Sequence, residues 1–148
     1  MNVEEVIKTE KRIPLKSRTV IHIILVYNKL NEVLTKALRP YEVSLQQFNV
    51  LRILRGRKGV PANLSTLNER MVSKMSNTTR LVDKLMHKGF VQRIVCESNR
   101  RKVEITITTA GEEVLLVMDK IVRKAEDDLV KNFSRQELEE LNLLLHKF

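Results

Sequence analysis

Four polar or basic side chains recur at helical spacing in the middle of the chain. They occupy positions i, i+3, i+7 and i+10: Asn77, Arg80, Lys84 and His87. Such spacings place side chains on one face of a helix, and Ser76 and Thr78 lie beside the first of them. Asn and Arg can each pair with a base edge through two hydrogen bonds, whereas Ser, Thr and Lys hold phosphates. The pattern is typical of a helix that enters the major groove of DNA, and the alternative is an ordinary solvated helix face.

Three consecutive cations, Arg100, Arg101 and Lys102, stand between two short runs of β-strand character. Residues 91–95 form the first run, and residues 103–107 alternate between apolar and polar side chains with a period of two. The sequence therefore predicts a hairpin with a basic tip. Like charges at a turn repel one another, so a phosphate or minor-groove partner explains them better than folding does. The alternative is a tip that is merely solvated.

The net charge of +9 is concentrated in the same part of the chain. Residues 55–102 hold twelve basic and three acidic side chains, whereas residues 1–54 sum to +4 and residues 103–148 to −4. A basic segment is the electrostatic footprint of a protein that binds a polyanion, because neutralised phosphates release counterions. Basic solvated helices are also common, so the charge favours nucleic acid without identifying it.

The composition predicts one globular domain over residues 1–148 and excludes several other classes. Apolar runs fall short of the roughly 20 residues that span a bilayer, and the N-terminal residues lack the apolar stretch of a secretory signal. Cys96 is the one cysteine, which excludes an intramolecular disulfide and fits the cytoplasm. Because His22, His87 and His146 are widely separated, we expect no metal site. The sequence has no Gly-rich phosphate loop, Gly-x-Ser-x-Gly motif or His-Glu-x-x-His pair, so we expect no cofactor or catalytic site.

The helices that must position the polar face are predicted from apolar spacing and capping residues. Ser44 and Gln47 form a capping box that opens one helix. Asn63 is a candidate cap for a short helix, and Ser73 is a candidate cap for the helix that carries the polar face. Gly89 closes that last helix.

Long amphipathic helices are predicted at both ends of the chain. The first covers residues 15–39, and the others cover residues 109–148, where Thr108 or Thr109 caps one helix and Ser134 opens the last. These helices carry more apolar surface than a small domain of two helices and a hairpin can cover. They could bury it against one another within one chain. Terminal arms on a DNA-binding module nevertheless indicate a dimer seam, since two recognition helices must be held about one turn of DNA apart.

Four segments follow the order of these elements: LQQFNVL at 45–51, MSNTTRLVDKL at 75–85, KGFVQR at 88–93, and the segment 99–111. The last is the most specific, because Asn-Arg-Arg leads into an alternating strand, Ile-Thr and a glycine. Together they resemble the MarR family of bacterial winged-helix regulators, whose wing pattern is Asp-Arg-Arg, strand, Leu-Thr-x-x-Gly. The resemblance covers about residues 17–145.

The resemblance implies a mainly helical fold with a small β-hairpin. A winged helix-turn-helix would cover residues 44–108, with dimerisation helices over residues 15–39 and 109–148. It also implies a homodimer in the cytoplasm that binds a pseudo-palindromic operator in double-stranded DNA and represses transcription. The predicted DNA contacts are Ser76, Asn77, Thr78, Arg80 and Lys84 on the recognition helix and Arg100, Arg101 and Lys102 on the wing. Arg101 is the first choice for the minor groove, and Arg100 is the second.

Two residues distinguish this chain or bear on its regulation. Asn99 stands where the family's wing carries aspartate, and an amide can hydrogen-bond the wing arginine but cannot form an ion pair with it, so we expect a looser wing. Family members often respond to small, frequently aromatic ligands or to cysteine oxidation, which implies a small-molecule effector of unknown identity. Cys96 lies close in sequence to Arg93 and Arg100, which favour a thiolate, although an incidental cysteine is the more frequent case.

The sequence favours a DNA-binding regulator without enzymatic activity. The alternative from a different class is a winged-helix adaptor whose basic face meets an acidic protein. Such an adaptor would not need a polar helix start and a basic wing together. A nuclease ranks third, because its metal needs clustered carboxylates and the basic segment holds only Glu69, Asp83 and Glu97.

Overall fold

The computed structural model describes residues 2–74, 77–95 and 103–148. The elements within these ranges are α1 (Val3–Val6), α2 (Leu15–Leu38), a 3₁₀ turn (Arg39–Tyr41), α3 (Leu45–Gly56), α4 (Leu64–Arg70), α5 (Thr78–His87), β1 (Val91–Val95), β2 (Val103–Ile107), α6 (Thr109–Val130) and α7 (Arg135–Leu145). The mainly helical fold with a two-stranded hairpin is confirmed. Seven residues named individually in the sequence analysis lie outside the described residues: Ser76, Cys96, Glu97, Asn99, Arg100, Arg101 and Lys102.

The chain divides into two compact units. The first unit comprises Met1–Lys36 and Ala125–Phe148, and the second comprises Ala37–Lys124. The second unit contains α3, α4, α5 and the hairpin, so it includes the polar helix face identified in the sequence.

The first unit begins with α1, a four-residue helix that the sequence analysis does not predict. Arg18 Nε donates to Glu4 Oε1 at 2.7 Å and Arg18 Nη2 donates to Glu4 Oε2 at 3.1 Å. These hydrogen bonds lower the pKa of Glu4 below its ordinary value and raise the pKa of Arg18. Val3 is fully buried. Burial and the ion pair therefore hold α1, which is too short to be stable alone.

The helices of the second unit begin at the residues that the capping signals predict. Ser44 and Gln47 form the predicted capping box, in which the Ser44 N–H donates to Gln47 Oε1 at 2.8 Å. Asn63 caps α4 by accepting from the Thr66 N–H at 2.8 Å. The buried apolar side chains of the three helices and the hairpin are Phe48, Val50, Leu51, Leu54, Leu67, Val82, Leu85, Val91 and Ile105. This core covers one face of α5.

The hairpin is antiparallel and is attached to the chain segment that precedes α4. Val91 pairs with Ile107 and Val95 pairs with Val103. The Ala62 N–H donates to the Ile105 carbonyl at 2.9 Å, and the Ile105 N–H donates to the Ala62 carbonyl at 2.7 Å. These two bonds give β2 a partner on its other edge and fix the hairpin beside the start of α4.

Two terminal features agree with their sequence signals. α2 ends at Leu38, one residue before the predicted end, because Pro40 lies in the 3₁₀ turn and lacks a donor N–H. Ser134 and Glu137 form a capping box at α7, with the Ser134 N–H donating to Glu137 Oε2 at 2.7 Å. The backbone hydrogen bond from Ser134 lowers the pKa of Glu137 below its ordinary value.

The predicted start of α5 at Ser73 is wrong. Asn77 is the cap, and its Oδ1 accepts from the Arg80 N–H at 3.1 Å. Both residue types are favourable caps, so the local sequence does not rank them. Burial of Thr78, Val82 and Leu85 at positions i, i+4 and i+7 selects the later start.

The junction between β2 and α6 depends on a close approach at Gly111. Thr108 Oγ1 accepts from the Gly111 N–H at 3.0 Å, which confirms the first of the two predicted caps, and donates to the Gly89 carbonyl at 2.7 Å. A Cβ atom on Gly111 would overlap the Phe90 carbonyl oxygen and would lie 2.8 Å from Ile107 Cγ1. A larger residue would force the start of α6 away from the hairpin.

We expect Gly111→Ala to lower the free energy of unfolding by about 1–3 kcal/mol, because the added methyl group overpacks this junction. Gly56→Ala is the matched control, since a Cβ at Gly56 meets no atom within 4 Å. The control should be neutral or stabilising by up to about 1 kcal/mol. Urea denaturation measures both variants, and equal stabilities would contradict the close packing at Gly111.

Candidate nucleic-acid interface

α5 has one buried face and one exposed face. Thr78, Val82 and Leu85 are buried. The polar side chains on the opposite side are exposed, as the sequence predicts: Asn77, Arg80, Lys84 and His87. The helix therefore presents a continuous polar strip to solvent, and contact of this strip with DNA stays a prediction.

Two cations near α5 have ion-pair partners, whereas the cations on its exposed face have none among the described residues. Arg93 Nη1 lies 3.4 Å from Asp83 Oδ1, and Lys88 Nζ lies 3.1 Å from Glu42 Oε2. Within the described ranges, neither Arg80 nor Lys84 forms an ion pair. Their positive charges are therefore available to an anionic partner.

Asn77 has a structural role that limits the contacts it can make. Its Oδ1 accepts from the Arg80 N–H and so satisfies one of the free donors at the start of α5. A two-point pair with adenine needs both the oxygen and the nitrogen of the amide. With the oxygen engaged in the cap, Nδ2 is the group left for a base or a phosphate.

The predicted placement of Thr78 on the exposed face is wrong. Its relative exposure is 4%, and its hydroxyl donates to Asn68 Oδ1 on α4. The reason is geometric, because Thr78 lies four residues before Val82 and so shares the inner face of α5. Thr78 links two helices in this structure and does not offer its hydroxyl to a phosphate.

Lys74 contributes to the site in a way that the sequence analysis missed. Its Nζ donates to the Asn68 carbonyl at 3.3 Å and to the Glu69 carbonyl. Both carbonyls lie in the last turn of α4, where helical partners are lacking. A lysine just after a helix end is the sequence signal that could have indicated this contact.

The structure brings Asn77, Arg80 and Lys84 onto one face, while Ser76 and the cations at 100–102 stay predictions from the sequence. Among the described residues, no group of three or more His, Cys, Asp or Glu side chains is arranged to hold a metal ion. In the same part of the chain, no helix is long and apolar enough to cross a membrane.

Comparisons with known proteins agree on one family. A family model described as MarR family matches residues 43–103. The chain is 32% identical over 120 residues to the HTH-type transcriptional regulator PecS of Dickeya dadantii (strain 3937). This alignment covers 78% of this chain and 70% of PecS. The chain is also 28% identical over 125 residues to the multiple antibiotic resistance protein MarR of Escherichia coli (strain K12). This second alignment covers 83% of this chain and 85% of that protein.

A solved structure extends this similarity to the fold. A cysteine-to-serine mutant of MarR from E. coli, complexed with operator DNA, superposes with a TM-score of 0.74 at 27% sequence identity. The superposition covers 84% of this chain and 89% of that one. The similarity therefore extends beyond the segment that the family model matches.

The capping role of Asn77 predicts a difference between its substitutions. Asn77→Ala should lose about 1 kcal/mol of stability, whereas Asn77→Ser, which keeps a capping oxygen, should stay close to the parent. Chemical denaturation of the two variants in parallel measures this difference. If Asn77→Ala were as stable as Asn77→Ser, the cap would not hold the start of α5.

Proposed function

The chain belongs to the MarR family, and we propose that it is a transcriptional regulator that binds an operator in double-stranded DNA as a homodimer and represses the adjacent genes. The observation that carries the proposal is the exposed face of α5, where Arg80 and Lys84 lack ion-pair partners within the described residues. MarR of E. coli has been solved with operator DNA. We assign the same class of partner to this chain.

The residues on α5 suit different parts of the duplex. The Arg80 guanidinium can pair with the O6 and N7 atoms of guanine in the major groove. The ammonium of Lys84 is a point charge that suits a phosphate, which positions the protein but carries no sequence information. We therefore assign base reading to Arg80, with one donor contact from Asn77, and phosphate binding to Lys84.

The distribution of exposed apolar side chains supports the homodimer. Sixteen of the twenty-two large apolar side chains that are exposed among the described residues lie in the first unit. They include Ile24, Tyr27 and Leu144, with relative exposures of 52%, 65% and 57%. Exposed apolar surface of this extent marks an interaction site. We propose that the helices over residues 15–39 and 109–148 form the dimer interface.

The remaining sequence predictions complete the proposal. Residues 44–108 would form the winged helix-turn-helix, within a single MarR-like domain over residues 1–148. Ser76 would contact DNA beside Asn77, and Arg100, Arg101 and Lys102 would contact DNA from the wing, with Arg101 in the minor groove. A small-molecule effector stays a prediction from the family resemblance.

The proposal places the protein in the cytoplasm, where bacterial operators lie, and gives it no enzymatic activity. PecS, a relative of this chain, is named as a transcriptional regulator rather than as an enzyme. The alternative is an adaptor whose basic surface binds an acidic protein, and such an adaptor needs charge but no base-reading residue. Arg80 and Lys84 therefore separate the two functions experimentally.

Removing one side chain at a time should separate base reading from phosphate binding. Arg80→Ala should cost about 1–3 kcal/mol on a selected operator and little on random duplex. Lys84→Ala should weaken both complexes and lower the slope of log K against log salt by about 1, because one phosphate fewer is neutralised. Fluorescence anisotropy between 50 and 200 mM salt measures these effects.

Lys11→Ala is the control, because it removes the same charge from an exposed position that lies outside residues 44–108 and outside the proposed dimer helices. The affinity of the control for DNA and its salt slope should match those of the parent. The affinity of the parent should fall about 10³–10⁵-fold between 50 and 200 mM salt if 6–10 phosphates are neutralised. A flat salt response of the parent, or equal binding to an acidic protein, would favour the adaptor.

We expect the full chain to sediment at micromolar concentration with twice its mass of 17.3 kDa. Ile24→Glu should shift it toward the monomer, because a charge at the interface would be desolvated. Val60→Glu is the matched control, since Val60 has a similar relative exposure of 57% but lies in the second unit. A monomeric parent, or dissociation by both substitutions alike, would contradict the proposed interface.

A further inference from the structure

We propose that Thr78 and Asn68 are positioning residues that fix the rotation of α5 about its axis and so determine where Arg80 meets the base edges. This inference rests on the proposed DNA binding. It gives Thr78 a role different from the phosphate contact that the sequence predicts. This role requires no contact between either residue and DNA.

The observation behind the proposal is a side-chain hydrogen bond between two helices. The hydroxyl of Thr78, the first residue of α5, donates to the amide oxygen of Asn68 on α4. In the part of the chain that the structure describes, it is the one hydrogen bond between side chains of these two helices. Thr78 is 4% exposed, whereas Asn68 is exposed.

The backbone of Asn68 takes part in a second contact with the segment that precedes α5. The backbone carbonyl of Asn68 accepts from Lys74 Nζ at 3.3 Å, within the turn that leads to α5. Asn77, which directly precedes Thr78, caps the start of α5 by accepting from the Arg80 N–H. The start of α5 is therefore connected through hydrogen bonds to the end of α4.

Apolar packing alone does not determine the rotation of a helix closely. Val82 and Leu85 are buried with Leu67 of α4 in the same core, but hydrophobic burial is not directional. A hydrogen bond is directional and weakens steeply as its angle changes. The bond from Thr78 thus adds a directional constraint to the apolar contacts, which determine the buried face of α5 but tolerate small rotations about its axis.

A small rotation is enough to change base reading. Side chains of a helix reach about 5–6 Å from its axis, so a rotation of about 10° moves their outer atoms by about 1 Å. Base-edge hydrogen bonds do not tolerate a displacement of this size, because their donor–acceptor distances vary over a range of only about half an ångström. Phosphate contacts of a flexible lysine tolerate more. Loss of the Thr78 bond should therefore reduce specificity more than general DNA affinity.

The test compares the affinity of the full chain for a selected operator with its affinity for random duplex of the same length. Thr78→Val keeps the shape of the side chain and removes the donor, so we expect about a tenfold loss on the operator and less than about a twofold change on random duplex. Thr78→Ser keeps the hydroxyl and should retain the operator affinity. Thermal unfolding monitors whether each variant is folded.

Thr106→Val is the matched control for the change in chemistry. The Thr106 hydroxyl on β2 is buried and has no hydrogen-bond partner in the described part of the chain. Its removal deletes a threonine hydroxyl from the same unit without breaking a hydrogen bond between helices. The ratio of operator to random affinity should be unchanged.

A double-mutant cycle tests the pairing itself. Asn68→Ala removes the acceptor from an exposed position, so it keeps the proposal testable if Thr78→Val does not fold. It should lower the operator affinity about as much as Thr78→Val does, and the double variant should lose little more than either single one. If the double variant instead lost operator affinity by the product of the two single losses, the two residues would act independently, and this result would overturn the proposal.

The remaining outcomes separate this inference from the proposed function. If the parent binds the operator specifically and Thr78→Val discriminates equally well, the positioning role fails and the DNA-binding function stands. If Thr78→Val weakens operator and random duplex equally, the hydroxyl supports general binding and the positioning role also fails. If the parent does not prefer any duplex, the proposed function fails and this inference fails with it.

Discussion

Burial of Thr78, Val82 and Leu85 determines the orientation of the proposed DNA-binding surface. These residues occupy one face of α5 and join the core formed by α3, α4 and the hairpin. Because side chains on a helix are about 100° apart, burying this face turns Arg80 and Lys84 to solvent. The apolar core thus determines which polar groups a partner can reach.

Electrostatics then distinguishes the exposed cations from their neighbours. Arg93 and Lys88 are paired with Asp83 and Glu42, each partner lying on another element or turn. Exposed ion pairs contribute little to stability, so their main effect here is to neutralise charge locally. The positive charge that remains on α5 is the long-range attraction that a phosphate backbone would meet first.

Local signals predicted the parts of the fold that local interactions determine. The capping boxes at Ser44 and Ser134 need only residues three apart, and both were predicted. The start of α5 was not, because Ser73 and Asn77 are both suitable caps and the choice depends on which residues reach the core. The same tertiary contact turned Thr78 inward. α1 was missed because its four residues are held by contacts distant in sequence, such as the ion pair with Arg18.

The most direct test of the account is selection of bound duplexes from a random library by the full chain, repeated with Arg80→Ala. The account predicts that the parent enriches a pseudo-palindrome whose half-site centres lie about 10 base pairs apart. Arg80→Ala should lose the preference at one position in each half-site while the remaining motif persists. Absence of any enriched motif with the parent, or an identical motif with Arg80→Ala, would contradict the assignment of α5 as the element that reads DNA.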